Sequence, residues 1–264
     1  MINTYRKRLR ELNPLIHCIT NPISINQCAN TILAAGARPM MAEHPKEAGI
    51  ITKSAGAVML NLGNITDVRM ESMLISAETA KENKIPYCLD ICGAACLKNR
   101  RDFAMSVISV HTPQIIKGNY SEITALFNEE YRSLGVDTDL KITKDEMKDI
   151  SVTLANKFNT TILASGETDI VTDGKRLAQI YNGSRQLTTI TGTGCMQGAL
   201  CAAFLSVAEG FDAAFSACTM FGICGELAEA KEGSGTFGIR LLDALSVVTD
   251  KEIEGLSRND IYYI

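Results

Sequence analysis

The chain has 264 residues, 46% of them hydrophobic and 21% charged, and its 26 basic against 30 acidic side chains leave a formal net charge of −4. This composition excludes a disordered chain, and the slight acidity argues against a nucleic-acid partner, which would call for a basic face. No stretch nears the ~18 uncharged apolar residues that a membrane helix needs, and the charged N-terminus lacks the apolar segment of a secretory signal, so no membrane partner is expected.

In chain order, short runs apolar on both sides predict buried strands at Leu15–Ile19, Ala57–Asn61, Pro86–Asp90, Gln114–Lys117 and Thr161–Ala164. Helical spacing falls between them, at Ser24–Ala35, Lys46–Ala55, Val68–Asn83, Arg100–Val110 and Lys144–Phe158. In Val68–Asn83, Met70, Met73, Leu74 and Ala77 form one stripe. All six prolines lie in the first half, at the joints, where they stop helices. Residues 128–142 read as a charged surface loop. Thr168–Asp173 and Arg176–Asn182 flank Asp173-Gly174-Lys175 and predict a hairpin. Helices are then expected over Gly194–Glu209, Ala213–Glu232 and Phe237–Val247. Strand alternating with helix implies a mostly parallel sheet with helices on both faces, that is, one three-layer α/β/α domain over residues 1–264.

The nine cysteines are odd in number and no pair is spaced C-x-x-C. Cys88, Cys92 and Cys96 form C-x3-C-x3-C, which matches no zinc or iron–sulfur spacing. They read as reduced thiols in a cytoplasmic setting. His17, His44 and His111 show no metal spacing, and His17, inside an apolar strand, reads as a core histidine. The pair Met40-Met41 reads as apolar packing at a strand end.

The most informative stretch is Thr188–Gly198, where a β-prone run ends in Gly192-Thr193-Gly194 and opens into a helical pattern. Two glycines allow a sharp turn, and the helix behind them presents unpaired N–H groups with a partial positive charge. Such a loop suits a phosphate or a developing negative charge. No G-x-x-x-x-G-K-[ST] occurs, so the chain is not a P-loop enzyme. Gly233-Ser-Gly235-Thr-Phe-Gly238 fits G-x-G-x-x-G but follows a helix, so it reads as a turn between helices or a loop covering a nucleotide. Asn21, Asp90, Lys117 and Ser165 follow or end predicted strands, on the edge where open α/β sheets hold ligands, with Glu122 one turn into the next helix. Asp90 and Glu122 are oxygen ligands of the kind Mg²⁺ accepts beside phosphates.

Taken together, His17-Cys-Ile-Thr-Asn21, Ala29-Asn30, Gly36-Ala-Arg-Pro-Met-Met-Ala42, Leu60-Asn-Leu-Gly63, Leu89-Asp90, Lys117-Gly-Asn119, Gly166-Glu-Thr-Asp169, Thr191-Gly-Thr-Gly-Cys195 and Gly233-Ser-Gly235 resemble the hydroxyethylthiazole kinases. The resemblance covers about residues 13–250. It implies a ribokinase-like fold and phosphorylation of the primary alcohol of 4-methyl-5-(2-hydroxyethyl)thiazole by ATP with Mg²⁺, in thiamine salvage. It also implies a homotrimer with thiazole pockets between subunits. By the same resemblance Met41 contacts the thiazole, Gly192 lies on the substrate side of the anion hole, and Asn21 contacts phosphate. Lys117 and Ser165 take the ATP-binding positions, and Asp90 and Glu122 are the metal–phosphate carboxylates. Cys195, at the helix start where related sugar kinases carry an aspartate base, is the candidate catalytic residue; a thiol there is expected to ionise more readily. The chain departs from the family in Lys117 for the usual arginine, Ile91-Cys92 for Pro-Val and Ser165 for threonine. Lysine holds a phosphate as a point charge without the guanidinium fork. Three alternatives stay open: a related kinase acting on a pyrimidine or pyridoxine alcohol, a nicotinamide-hydrate dehydratase of the same fold, and a non-catalytic module binding thiazole or nucleotide.

Overall fold

A computed structural model describes residues 1–128, 130–131 and 142–264. Most of the stretch 128–142, expected as a charged loop, therefore lies outside the described residues. The strands are β1 (Leu15–Ile19), β2 (Arg38–Met40), β3 (Ala57–Asn61), β4 (Tyr87–Asp90), β5 (Ile115–Asn119), β6 (Thr161–Ser165), β7 (Asp169–Thr172), β8 (Arg176–Ile180) and β9 (Asn259–Tyr263). The helices are α1 (Ile2–Leu12), α2 (Ile25–Ala35), α3 (Pro45–Ser54), α4 (Asp67–Asn83), α5 (Lys98–Val110), α6 (Tyr120–Phe127), α7 (Lys144–Phe158), α8 (Thr193–Leu205), α9 (Gly210–Leu227), α10 (Ser234–Val247) and α11 (Asp250–Leu256).

The strands form one nine-stranded sheet in the order β2-β1-β3-β4-β5-β6-β7-β8-β9. Pairing is parallel from β2 to β6 and antiparallel from β6 to β9. Alternation along β3 shows why both faces are covered. Ala57 and Met59 enter one apolar cluster with α2, α8, α9 and α10, while Val58 and Leu60 enter a second with α3, α4, α5 and α7. The expected three-layer arrangement is what forms. Helix α8 is buried on all sides from Cys195 to Leu205, so its run of small and apolar residues shows no amphipathic stripe.

Local chemistry sets the joints. Gly36 closes α2 in the left-handed region at φ 100°, and capping boxes at Thr143 and Thr249 start α7 and α11. The predicted hairpin is β7–β8, turned at Gly174 with φ 84°, where Asp173 Oδ1 accepts from the N–H groups of Lys175 and Arg176. One local expectation fails. The β-prone run before Gly192 is a 3-10 turn over Arg185–Thr189, not a strand. Ser184 caps it, and the hydroxyls of Thr188 and Thr189 donate to the carbonyls of Arg185 and Gln186 at 2.8 Å. These side-chain bonds replace a ladder, since β8 already has β9 on its outer edge. His17 is a core histidine as expected. Its Nε2 donates to the Ala42 carbonyl at 2.8 Å, which leaves Nδ1 to accept from the Thr52 hydroxyl at 2.9 Å, and burial lowers its pKa. Met41 packs half-buried on the first cluster, whereas Met40 is exposed. Among the described residues no helix is long and apolar enough to cross a membrane.

Candidate active site

Parallel pairing brings the ends of β3, β4 and β5 side by side, with Asn61 opposite Asp90 and Asp90 opposite Lys117 in register. Such an edge is where an open parallel sheet leaves a crevice. Lys117 Nζ donates to Asp90 Oδ2 at 3.0 Å, and both side chains are buried. Burial disfavours the Lys117 ammonium, but attraction to Asp90 and the neighbouring groups outweighs it and raises its pKa. Burial likewise raises Asp90, with Lys117 offsetting part of the effect. The contact thus overcomes the burial penalty on Lys117 and offsets part of that on Asp90.

The glycine loop closes over this pair. Gly192 caps α8 in the left-handed region at φ 87°, and a Cβ there would lie 3.0 Å from Ser24 Cβ. The first helical bond runs from the Met196 N–H to the Gly192 carbonyl, so Thr193, Gly194 and Cys195 have no intrahelical acceptor for theirs. A Cβ on Gly194 would sit 3.2 Å from Lys117 Nζ, and one on Gly198 would sit 2.8 Å from Met59 Cε and 3.2 Å from Asp90 Oδ2. Two glycines four apart thus let one face of α8 rest on the ion pair. The resulting concavity combines helix-end amides with a fixed cation, which is chemistry for a phosphate.

Glu122 lies behind the pair in a capping box with Asn119. Its Oε1 accepts from the Gly93 N–H at 2.6 Å and its Oε2 from the Asn119 N–H at 2.8 Å. Burial, then repulsion from Asp90, pushes its pKa up to about 7, against the pull of Lys117 and the two amides. Ser165 ends β6, one strand beyond Lys117, and its hydroxyl donates to the Gly118 carbonyl at 3.3 Å. Asn21 lies just past β1. Its Oδ1 accepts from the N–H groups of Ile23 and Ser24 at 3.1 Å, so Nδ2 faces inward and donates to Cys195 Sγ at 3.5 Å. The cluster thus unites Asn21, Asp90, Lys117, Glu122, Gly192 and Cys195. Ser165 stands beside it, and Met41 is set apart, past the edge strand β2, with two strands between β2 and β4.

Two groups escaped the sequence reading as site residues. Asn61 bridges Asn21 and Asp90 at 3.3 Å on each side. Its signal was a polar residue ending an apolar strand. Asp169 accepts from the Gly166 N–H and from Gln197 Nε2, both at 3.0 Å, tying the turn after β6 to α8. Burial pushes Asp169 up to about 6, against those bonds.

No group of three or more His, Cys, Asp or Glu side chains suited to a metal occurs among the described residues. One observation still favours a hard cation: Asp90 Oδ1 is buried without a hydrogen-bond partner. One free carboxylate oxygen with a second carboxylate nearby fits Mg²⁺, which takes one or two carboxylates and completes its shell with water and phosphate.

Comparison with known proteins agrees with this geometry. A family model for the hydroxyethylthiazole kinase family matches residues 6–251. A curated relative named hydroxyethylthiazole kinase 2, from Clostridium botulinum strain Hall, is 44% identical over 93% of this chain and 94% of its own length. A hydroxyethylthiazole kinase from Clostridium perfringens strain 13 is 40% identical over 93% and 96%. The solved structure of a hydroxyethylthiazole kinase protein from Pyrococcus horikoshii OT3 superposes with a TM-score of 0.92 at 35% identity, covering 99% and 98% of the two chains. A pyridoxal kinase from Staphylococcus aureus, solved with AMP-PCP and pyridoxal, superposes at 0.67 with 11% identity over 95% and 98%, a likeness of fold alone. The fold is ribokinase-like, and the chain belongs to the hydroxyethylthiazole kinase family.

Proposed function

We propose that this chain moves the γ-phosphoryl group of ATP onto the primary alcohol of 4-methyl-5-(2-hydroxyethyl)thiazole, in thiamine salvage. The observation that carries the reading is the unpaired start of α8 resting on the Asp90–Lys117 pair. In the reaction the alcohol oxygen forms a bond to phosphorus, the bond to the ADP oxygen breaks, and the alcohol proton leaves. Phosphoryl transfer is loose, so positioning and neutralisation of charge do most of the work. In our reading the N–H groups behind Gly192 meet the developing charge, and Lys117 supplies a point charge to the phosphates. Asn21 contacts phosphate, Ser165 holds the nucleotide side, and Met41 contacts the thiazole. Cys195 Sγ, oriented by Asn21, is the acceptor for the alcohol proton. Asp90, with Glu122 beside it, would hold Mg²⁺, which supplies neutralisation of phosphate charge when bound.

The same reading includes a homotrimer with sites between subunits. Exposed Ile23, Leu33, Met40 and Ile239 lie on or next to α2, the neighbouring β2 and α10, which packs on α2, and they support an apolar contact between copies. It also includes one domain over residues 1–264, consistent with a single nine-stranded sheet, and a cytoplasmic setting, consistent with nine free cysteines. A pyridoxine or pyrimidine alcohol is not favoured, nor is a dehydratase or a non-catalytic module, because Cys195 and relatives at 40–44% identity point to the thiazole alcohol.

The test is ATP consumption by the purified protein with Mg²⁺ and the thiazole alcohol, with the product weighed by mass spectrometry. Thiazole-dependent monophosphate is the expected product. Faster turnover of pyridoxine or hydroxymethylpyrimidine, or binding of the thiazole alcohol without product, overturns the reading.

A further inference from the structure

The segment Leu60-Asn-Leu-Gly63 has a role that none of the groups above supplies. Asn61 is fully buried at the end of β3, and its amide orientation is set by its own turn: Oδ1 accepts from the Gly63 N–H at 2.7 Å. Nδ2 must then face Asp90 Oδ2, at 3.3 Å. Asn21 is fixed in the same way, because its Oδ1 is held by the N–H groups of Ile23 and Ser24. Its Nδ2 therefore reaches both Asn61 Oδ1 at 3.3 Å and Cys195 Sγ at 3.5 Å. The two amides form a directed chain from Cys195 to the buried carboxylate of Asp90, and a flip of either would set an NH2 group against the backbone N–H groups its oxygen now accepts from.

Gly63 makes the chain fit. A Cβ on Gly63 would lie 2.7 Å from Asn21 Nδ2 and 2.8 Å from Asn61 Oδ1, inside contact distance of both amides. Gly63 is not among the residues in the left-handed region, so its backbone accepts alanine. The position is a glycine because the two amides meet over it, not because the turn demands one.

We infer that Asn61 is a positioning residue which, seated over Gly63, couples Asn21 and Cys195 to Asp90 and holds the sulfur in register with the phosphate-side carboxylate. The inference rests on the proposed phosphoryl transfer for its kinetic readout. A device of this kind acts on the reacting geometry and leaves substrate affinity alone, so its loss appears in kcat and not in KM.

Two variants test it. Asn61→Asp keeps the shape and the Gly63 contact but removes the donor to Asp90. Gly63→Ala keeps every polar group and wedges the amides apart, so it decides the matter if Asn61→Asp does not fold. Per folded molecule, each is expected to lower kcat about tenfold or more while KM for ATP and for the thiazole alcohol stays within about threefold. Alkylation of Cys195 by iodoacetamide, followed by peptide mass, is expected to slow about fivefold in Gly63→Ala, since the sulfur loses its positioned donor. Wild-type kcat in the folded variants overturns the inference. So does an unchanged alkylation rate, or a defect confined to KM. If the wild-type protein itself shows no turnover, the functional reading falls, and the alkylation rate alone decides the coupling.

Discussion

The molecule has two glycine loops of the same outline, each opening a helix, and they differ in what surrounds them. At Gly192-Thr193-Gly194 the space of every missing side chain is claimed: Ser24 lies 3.0 Å from one Cβ position and Lys117 Nζ 3.2 Å from the other. At Gly233-Ser234-Gly235 a Cβ on either glycine would meet nothing within 4 Å. Gly192 and Gly233 both have positive φ, 87° and 121°, so backbone conformation does not separate the loops. What separates them is the buried ion pair under the first. Glycine spacing alone is a weak sign of phosphate chemistry, and the neighbours of the absent side chains are a strong one.

The largest expected effect breaks the support of the first loop. Asp90→Asn leaves the buried Lys117 ammonium without its anion, which is expected to cost about 3–5 kcal/mol in denaturant unfolding. Turnover should fall by more than about a hundredfold, because Lys117 loses the partner that fixes it and the site loses the carboxylate that would hold Mg²⁺. A variant as stable as the parent would show that the pair does not carry this loop. Next, Gly194→Ala pushes on Lys117 Nζ and is expected to lower kcat about ten- to a hundredfold in steady-state assays, with the fold intact by circular dichroism.

A third prediction concerns pH and reaches the first loop only. Glu122 sits at about 7 in the folded protein against an ordinary 4.5, so the folded state binds its proton more tightly than the unfolded chain. Its contribution to stability is fully present below pH 4.5, declines as pH rises and is lost by about pH 7, an effect of roughly a few kcal/mol at most. Glu122→Gln should flatten that part of the stability profile; an unchanged slope would assign it to other carboxylates, such as Asp169. The smallest effect belongs to the second loop. Gly235→Ala, in the first turn of α10 with open space around it, should leave turnover unchanged and raise stability by up to about 1 kcal/mol. A marked rise in KM for ATP would instead place that loop on the nucleotide and remove the contrast.

Some of this was legible in the chain and some was not. The apolar runs Leu15–Ile19 and Ala57–Asn61 are β1 and β3, and Lys144–Phe158 is α7 to the residue, since buried strands and capped amphipathic helices carry their own period. The terminal elements were missed. Helix α1 buries only Ile2, Arg6 and Leu9 in an otherwise charged segment, and β9 is an exposed edge strand with no apolar alternation. The turn at Arg185–Thr189 was misread because threonine hydroxyls overrode a β-prone composition.

By itself the sequence determined the alternation of strand and helix, the parallel sheet that follows from it, and the set of polar residues at strand ends, because these depend on local period and on which residues tolerate burial. The tertiary structure alone decided which of those residues meet. Register set Asn61, Asp90 and Lys117 abreast, and the approach of α8 through Gly194 and Gly198 brought helix-end amides onto a buried charge. Contacts between residues as far apart as Asn21 and Cys195 depend on packing across the whole sheet, and no local pattern encodes them.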